Sequence, residues 1–162
     1  MLDLFVGIDP SFSGTGLIIL DENTEIISRV LISTKKKDEL YDVERRMIEV
    51  ENQLKFILDY SHLIRGIFIE EISFGSKGQA SEQLAALNYH IRIFLYNNKL
   101  HFKTISPMGL KKWATGKGNC KKDLMLLKCY KRFGIEFEDD NLCDAYLLAR
   151  MCFETFKKKE KK

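Results

Sequence analysis

Val6-Gly7-Ile8-Asp9-Pro10-Ser11-Phe12-Ser13-Gly14-Thr15-Gly16 is the stretch whose reading decides the fold. The apolar residues Leu4, Phe5, Val6 and Ile8 lead directly into a carboxylate; Pro, Ser and Gly then turn the chain. A second apolar run follows from Leu17 to Leu20. The pattern predicts a buried strand, a tight turn and a second strand, with Asp9 at the open end of the first. A charge at the edge of an apolar sheet is costly unless a cation or phosphate chemistry uses it. Asp before Pro also starts turns, so simple capping is the plainer alternative.

Working outward, residues 25–33 predict a third strand, antiparallel to the second. Residues 38–60 switch to a helical period, with Leu40, Val43, Met47, Val50, Leu54, Ile57 and Leu58 on one face. Residues 65–72 predict the next strand, in which Ile67, Phe68 and Ile69 lead into Glu70. A helical crossover makes this strand parallel to the first. A loop at 75–79, a helix at 80–97, a strand at 101–106 and a helical turn opened by Pro107 come next. The glycine loop 115–119 and two helices, 120–132 and 140–156, close the pattern. The expectation is one α/β domain over residues 1–156, a three-stranded meander followed by parallel strands flanked by helices, with a frayed basic tail at 157–162.

Composition narrows the class. A chain of 162 residues, 45% hydrophobic and 30% charged, buries an ordinary core and carries no apolar run near the roughly 20 residues that cross a bilayer. The N-terminus lacks a basic flank, and a cytoplasmic protein is expected. Cys120, Cys129, Cys143 and Cys152 lie at least nine positions apart, so no zinc pattern arises, and all four fall in expected helices. His62, His90 and His101 form no ligand pattern either. The net charge of +3 decides little, but its distribution does. From Lys99 to Arg132 ten Lys or Arg face one acid, Asp123; from Phe133 to Asp144 five acids face no base. A basic segment running into an acidic one suits a protein that grips a polyanion and holds metal beside it.

The acids have places to meet. Asp9 and Glu70 both end strands expected to be parallel, and sites in open α/β sheets form at such ends. The last helix adds Asp140, Asn141 and Asp144, at spacings that share a face. That face is expected to turn inward, because Leu142, Cys143, Tyr146 and Leu147 make the opposite one only partly apolar. Carboxylates gathered in this way repel one another, and hard divalent cations such as Mg²⁺ or Mn²⁺ relieve the repulsion. Two such ions about 4 Å apart suit in-line displacement at a phosphodiester. Glu71, next to Glu70 on the strand, is expected to point the other way.

Gly7-Ile8-Asp9-Pro10-Ser11 with Gly14-Thr15-Gly16, Ile69-Glu70, and Asp144-Ala145 together resemble the RuvC family of Holliday-junction resolvases, and Pro107, Lys111, Gly116, Gly118 and Lys122 extend the likeness. The likeness runs from Val6 to about Ala149 and is similar to phage-carried members of Gram-positive hosts. It implies an RNase H-like fold, a homodimer, Mg²⁺ dependence and paired nicks across a four-way DNA junction. It assigns Asp9, Glu70 and Asp144 as metal-holding catalytic acids. Where the family usually has a further aspartate, this chain has Asn141, with Asp140 as the alternative. Lys122 is implied to steady the scissile phosphate and Lys111 to grip the backbone, with Lys112, Lys117 and Lys121 as auxiliary DNA contacts. Phe74 lies in the loop where the family often places an aromatic that probes the junction, one position past the nominal place, which Ser73 takes; simple packing is the alternative. The 80–96 helix has apolar residues around more than one face, including Ala85, Ala86, Tyr89 and Ile93, so one face can cover the sheet while another pairs with a symmetry mate; a fully buried core helix is the alternative. The competing readings are an actin-like or sugar-kinase-type ATP-binding domain, a general RNase H-like nuclease, and a junction-binding scaffold with weak catalysis.

Overall fold

Strand alternation sets the layers. In the computed structural model, which describes residues 2–72 and 78–160, the first strand β1 (Leu4–Asp9) is buried along its whole length. Its neighbours are β2 (Thr15–Leu20) and β3 (Ile26–Ile32), both antiparallel. After α1 (Asp42–Leu54) and a 3-10 turn, Lys55–Tyr60, comes β4 (Ile64–Glu70), parallel to β1. Helix α2 (Gln79–Asn97) leads to β5 (Phe102–Ile105), parallel to β4. Three helices follow: α3 (Pro107–Thr115), α4 (Lys122–Phe133) and α5 (Asp140–Glu160). The sheet order is β3-β2-β1-β4-β5, the five-stranded mixed sheet expected from sequence.

Leu4, Val6, Ile8, Leu17, Ile19, Ile67 and Ile69 face one side and pack with Val50, Leu54, Leu87 and Ile91 of α1 and α2. Phe5, Ile18, Leu20 and Phe68 face the other, where α5 lies with α3 and α4. With a period of two, Asp9 shares the α5 side with Phe5, and Glu70 shares it with Phe68. Both acids therefore emerge beneath the same helix.

Glycine brings that helix unusually close. A Cβ on Gly7 would run into the Ala145 carbonyl and the Ala149 amide, and one on Gly16 would run into the Asn141 carbonyl. The first half of α5 thus rests directly on β1 and β2, with small residues on both sides of the contact. Leu142, Cys143, Tyr146 and Leu147 are all buried, which corrects the expectation of a half-apolar outer face. From Leu142 to Ala149 the helix is enclosed by sheet on one side and by α3 and α4 on the other, and it opens at its first turn, at Asp144 and toward its far end, where Lys157 and Lys158 are exposed.

Other boundaries differ for local reasons. Leu40 is 79% exposed and precedes α1, because Tyr41 takes a left-handed conformation and starts the helix at Asp42. The α5 helix runs through the expected tail boundary to Glu160; Phe153 and Phe156 pack against Phe5 and carry it onward. Cys120 lies in the loop before α4, not in a helix, while Cys129 and Cys143 meet through a thiol hydrogen bond in the core. Phe74 lies outside the described residues. Among the described residues no helix is long and apolar enough to cross a membrane.

Candidate active site

The parallel register places Ile8 beside Ile69, so the next residues, Asp9 and Glu70, end side by side. The β1–β2 turn is tied off behind them: the Ser11 amide donates to Thr15 Oγ1 at 3.1 Å, and that hydroxyl donates back to the Ser11 carbonyl at 2.7 Å. On the last helix, the Asp139 carboxylate accepts from the Leu142 amide at 3.0 Å and caps the first turn. That cap and the glycine contacts fix the helix start, from which Asn141 and Asp144 face the strand tips. The result is a cleft of about 270 Å³ whose polar lining includes Asp9, Glu70, Asn141, Asp144, Lys111 and Lys122.

Burial dominates the electrostatics. Asp9 is 8% exposed; burial, then Glu70 and Asp144, push its carboxyl well above the usual range, and Lys122 opposes them. Burial and then Asp144 push Glu70 up to about 8, while Lys111 and Lys122 pull it down. Burial pushes Asp144 up to about 6 against the same two lysines. Each acid therefore resists ionising in the apolar surroundings and beside its neighbours.

Such a set fits a hard divalent cation: three carboxylates and an amide face one water-accessible space, and positive charge there removes both penalties. Among the described residues no three acidic, His or Cys side chains are grouped closely enough to hold a metal ion as they stand, so these acids line an open cleft and not an assembled metal site. Backbone topology, with two strand ends and one helix start, brings them there.

The expected residues separate into groups. Asp9, Glu70, Asn141 and Asp144 line the cleft, with Lys111 and Lys122. Asp140 does not line it; its carboxylate pairs instead with the Lys122 ammonium, whose side chain is 70% exposed. Adjacent helical positions diverge by about 100°, so turning Asn141 inward turns Asp140 toward α4. Glu71 also lines the cleft, contrary to its expected orientation, because β4 stops at Glu70 and alternation stops with it. Lys112, Lys117 and Lys121 are exposed and lie outside the cleft lining.

Two polar residues escaped the sequence reading. Asn88 is 2% exposed on α2 and lines the cleft; its Nδ2 donates to the Glu70 carbonyl at 2.7 Å, while its buried Oδ1 has no protein partner. Asp139 was counted only as part of the acidic run, yet it caps α5 and adds to the negative field on Asp9. A polar residue within the apolar face of α2 was the one available signal for Asn88.

The fold agrees with comparisons to known proteins. The family profile described as Crossover junction endodeoxyribonuclease RuvC matches residues 5–148. A protein of that description from Brachyspira hyodysenteriae is 25% identical over 147 residues, covering 89% of each chain. The Thermus thermophilus RuvC structure superposes with a TM-score of 0.74 at 15% identity, covering 98% of this chain and 96% of that one. The same protein in complex with a Holliday junction substrate gives 0.76, with the same identity and coverage. The yeast mitochondrial Holliday junction resolvase Ydc2 gives 0.55 at 14% identity, covering 96% and 82%. With its profile matched over nearly the whole length and its acids at the strand tips and helix start, the chain belongs to the RuvC family of crossover junction endodeoxyribonucleases.

Proposed function

We propose that this protein resolves four-way DNA junctions, as a homodimer, by paired metal-dependent nicks. The observation that carries the reading is the convergence of Asp9, Glu70 and Asp144 on one cleft whose remaining charges are the lysines Lys111 and Lys122. Asp9, Glu70, Asn141 and Asp144 are the residues that would hold divalent cations. Such ions, Mg²⁺ or Mn²⁺ and two per site, supply an activated water and neutralise developing charge at a phosphodiester. Lys122 presents its ammonium to the phosphate as negative charge builds, and Lys111 holds the adjoining backbone. Lys112, Lys117 and Lys121 extend that grip along the strand. Displacing Asp140 from Lys122 frees this ammonium for DNA.

Support for the dimer comes from α2, where Ala86, Tyr89, Ile93 and Tyr96 form one exposed, largely apolar stripe; Tyr96 is 77% exposed. A two-fold dimer matches a junction that is itself nearly two-fold. The resemblance to phage-carried members of Gram-positive hosts extends the proposal to a phage-carried protein acting in its host's cytoplasm. The family match displaces the ATP-binding reading. A junction-binding scaffold with weak catalysis remains a second reading because Asn141, a neutral amide, occupies the cleft.

Incubation with a synthetic four-way junction, a fork and a linear duplex, each in Mg²⁺ and in EDTA, tests the proposal. Symmetric nicks confined to branched DNA and abolished by EDTA are expected, and Asp9→Asn should bind the junction without cutting it. Equal cutting of linear duplex would defeat the junction reading. Tight binding with no nicking at any Mg²⁺ or Mn²⁺ level selects the scaffold.

A further inference from the structure

The segment between β3 and α1 carries Lys35-Lys36-Lys37, all exposed, at the same end of the sheet as the acidic cleft. A basic run on a loop is ordinarily a solvated face. This one is held by a buried polar network.

Thr34, Asp42 and Arg46 are each less than 10% exposed, although all three are polar or charged. The Thr34 amide and hydroxyl both donate to the Phe12 carbonyl, at 3.1 and 2.9 Å. Arg46 Nε donates to Thr34 Oγ1 at 2.9 Å, and its guanidinium lies 4.3 Å from the centre of the Phe12 ring. The Arg45 guanidinium donates to the Lys35 carbonyl at 2.8 Å, and the Lys37 amide donates to Asp42 Oδ1 at 3.1 Å. Both flanks of the lysine run are therefore fixed through their backbone, leaving the ammonium groups outward. Burying such groups is tolerated only when they are mutually satisfied, and here the satisfaction fixes the loop.

The same network keeps the lysine charge free. Arg45 engages Glu39, Asp42 and Glu49 together, at 2.6, 2.5 and 2.9 Å. Those three carboxylates are thereby drawn away from the lysines, and Asp38 is the one acid of the loop outside the set. Among the described residues none of the three lysines forms an ion pair.

Hydrogen bonds also tie the loop to the cleft rim. The Ser33 hydroxyl donates to the Ser13 carbonyl at 2.8 Å, Ser13 Oγ lies 2.9 Å from Ser11 Oγ, and Ser11 lines the cleft. Lys111 and Lys122 line the cleft from α3 and α4, on the α5 face, whereas Lys35–Lys37 stand outside the lining, past the end of the edge strand β3. Positive charge therefore lies both within the cleft and beyond its β1–β2 rim. A rigid row of unpaired ammonium groups with no apolar surface between them fits a phosphate backbone.

We infer that Lys35, Lys36 and Lys37 form a second DNA-contact platform, engaging the phosphates of a duplex arm as it leaves the cleft across the β1–β2 turn. The inference rests on the junction-binding reading above.

The test compares two triple variants of the full chain, Lys35→Gln/Lys36→Gln/Lys37→Gln and Lys55→Gln/Lys157→Gln/Lys158→Gln. The second removes the same charge at the opposite end of the sheet. Junction affinity is measured as a function of salt in EDTA, with thermal unfolding as a check on folding. Each lost phosphate contact lowers the slope of log K against log salt by about 0.9. The loop variant should therefore lose about 2–3 from the slope and bind about tenfold or more weakly at ~0.1 M salt, while the control keeps the parent slope. An unchanged slope in the loop variant, or equal losses in both variants, overturns the platform. A parent with no salt-dependent junction binding overturns the junction reading instead.

Discussion

Glu70→Gln should make the metal-free protein more stable while ending its cleavage activity. Burial and Asp144 hold the Glu70 carboxyl at about 8 against an ordinary 4.5, so the folded protein keeps a proton that the unfolded chain has released. A raised carboxyl pKa means that stability is fully present below about 4.5 and falls as pH rises toward 8. The loss is about 1.4 kcal/mol per pH unit across that window, which amounts to ~3 kcal/mol at neutral pH. Glutamine cannot ionise and escapes this loss. For a chain of this size ~2–4 °C accompanies each kcal/mol, so the variant should melt ~6–12 °C above the parent near pH 7 in EDTA, and within ~3 °C of it near pH 5. Thermal unfolding followed by circular dichroism across pH 5–8.5 reads this directly. Adding Mg²⁺ should close the gap from below, because the parent gains a ligand that its carboxylates hold and the variant has lost one of them. A variant no more stable than the parent at pH 8 in EDTA, or a difference that does not vary with pH, refutes the electrostatic account of the cleft.

Three further outcomes are expected. Gly7→Ala places a methyl group against the backbone of α5 and should cost about 1–3 kcal/mol or more, with cleavage falling further than the stability loss explains; unfolding and cleavage measured together check both, and full activity would mean that the contact does not set the site. Asn88→Leu removes the donor to the Glu70 carbonyl and should raise the Mg²⁺ concentration for half-maximal cleavage severalfold, with a Mg²⁺-induced rise in melting temperature that shrinks in parallel; an unchanged metal dependence would make Asn88 a packing residue only. Lys122→Ala should reduce the single-turnover rate far more than junction affinity, and the opposite split would make Lys122 a binding residue alone.

Much of this site was legible because strands report their ends. An apolar run that stops at Asp9, and another that stops at Glu70, locate two carboxylates without any knowledge of packing, and the parallel crossover sets them side by side. The helix was harder. Asp140 and Asn141 are neighbours, and the first half of α5 is enclosed on nearly every side, so it has no polar stripe there from which to read a facing direction. Only the passage of its backbone over Gly7 and Gly16 settles which residue turns inward. Those glycines are visible in the sequence, but the helix that crosses them is more than a hundred positions away. Arg46 and Asp42 were hidden for a different reason: on a helical wheel they read as the charged side of α1, and their burial depends on Thr34 and Phe12 outside the helix. Asn88 was hidden by its apolar neighbours.

The meeting of α5 with β1 joins the last described element to the first. Chains emerge from the ribosome at about 5–20 residues per second, N-terminal segments first. While residues from Asp140 onward are still within the exit tunnel, Asp9 and Glu70 lack their third acid and the sheet lacks the cover over its Phe5 face. The hairpin and the parallel pair can form early, but the acidic cleft cannot. A nascent polypeptide of this sequence therefore has no closed acidic cleft until residues from Asp140 onward have emerged, and the docking of that one helix then completes both the cleft and the hydrophobic layer over Phe5.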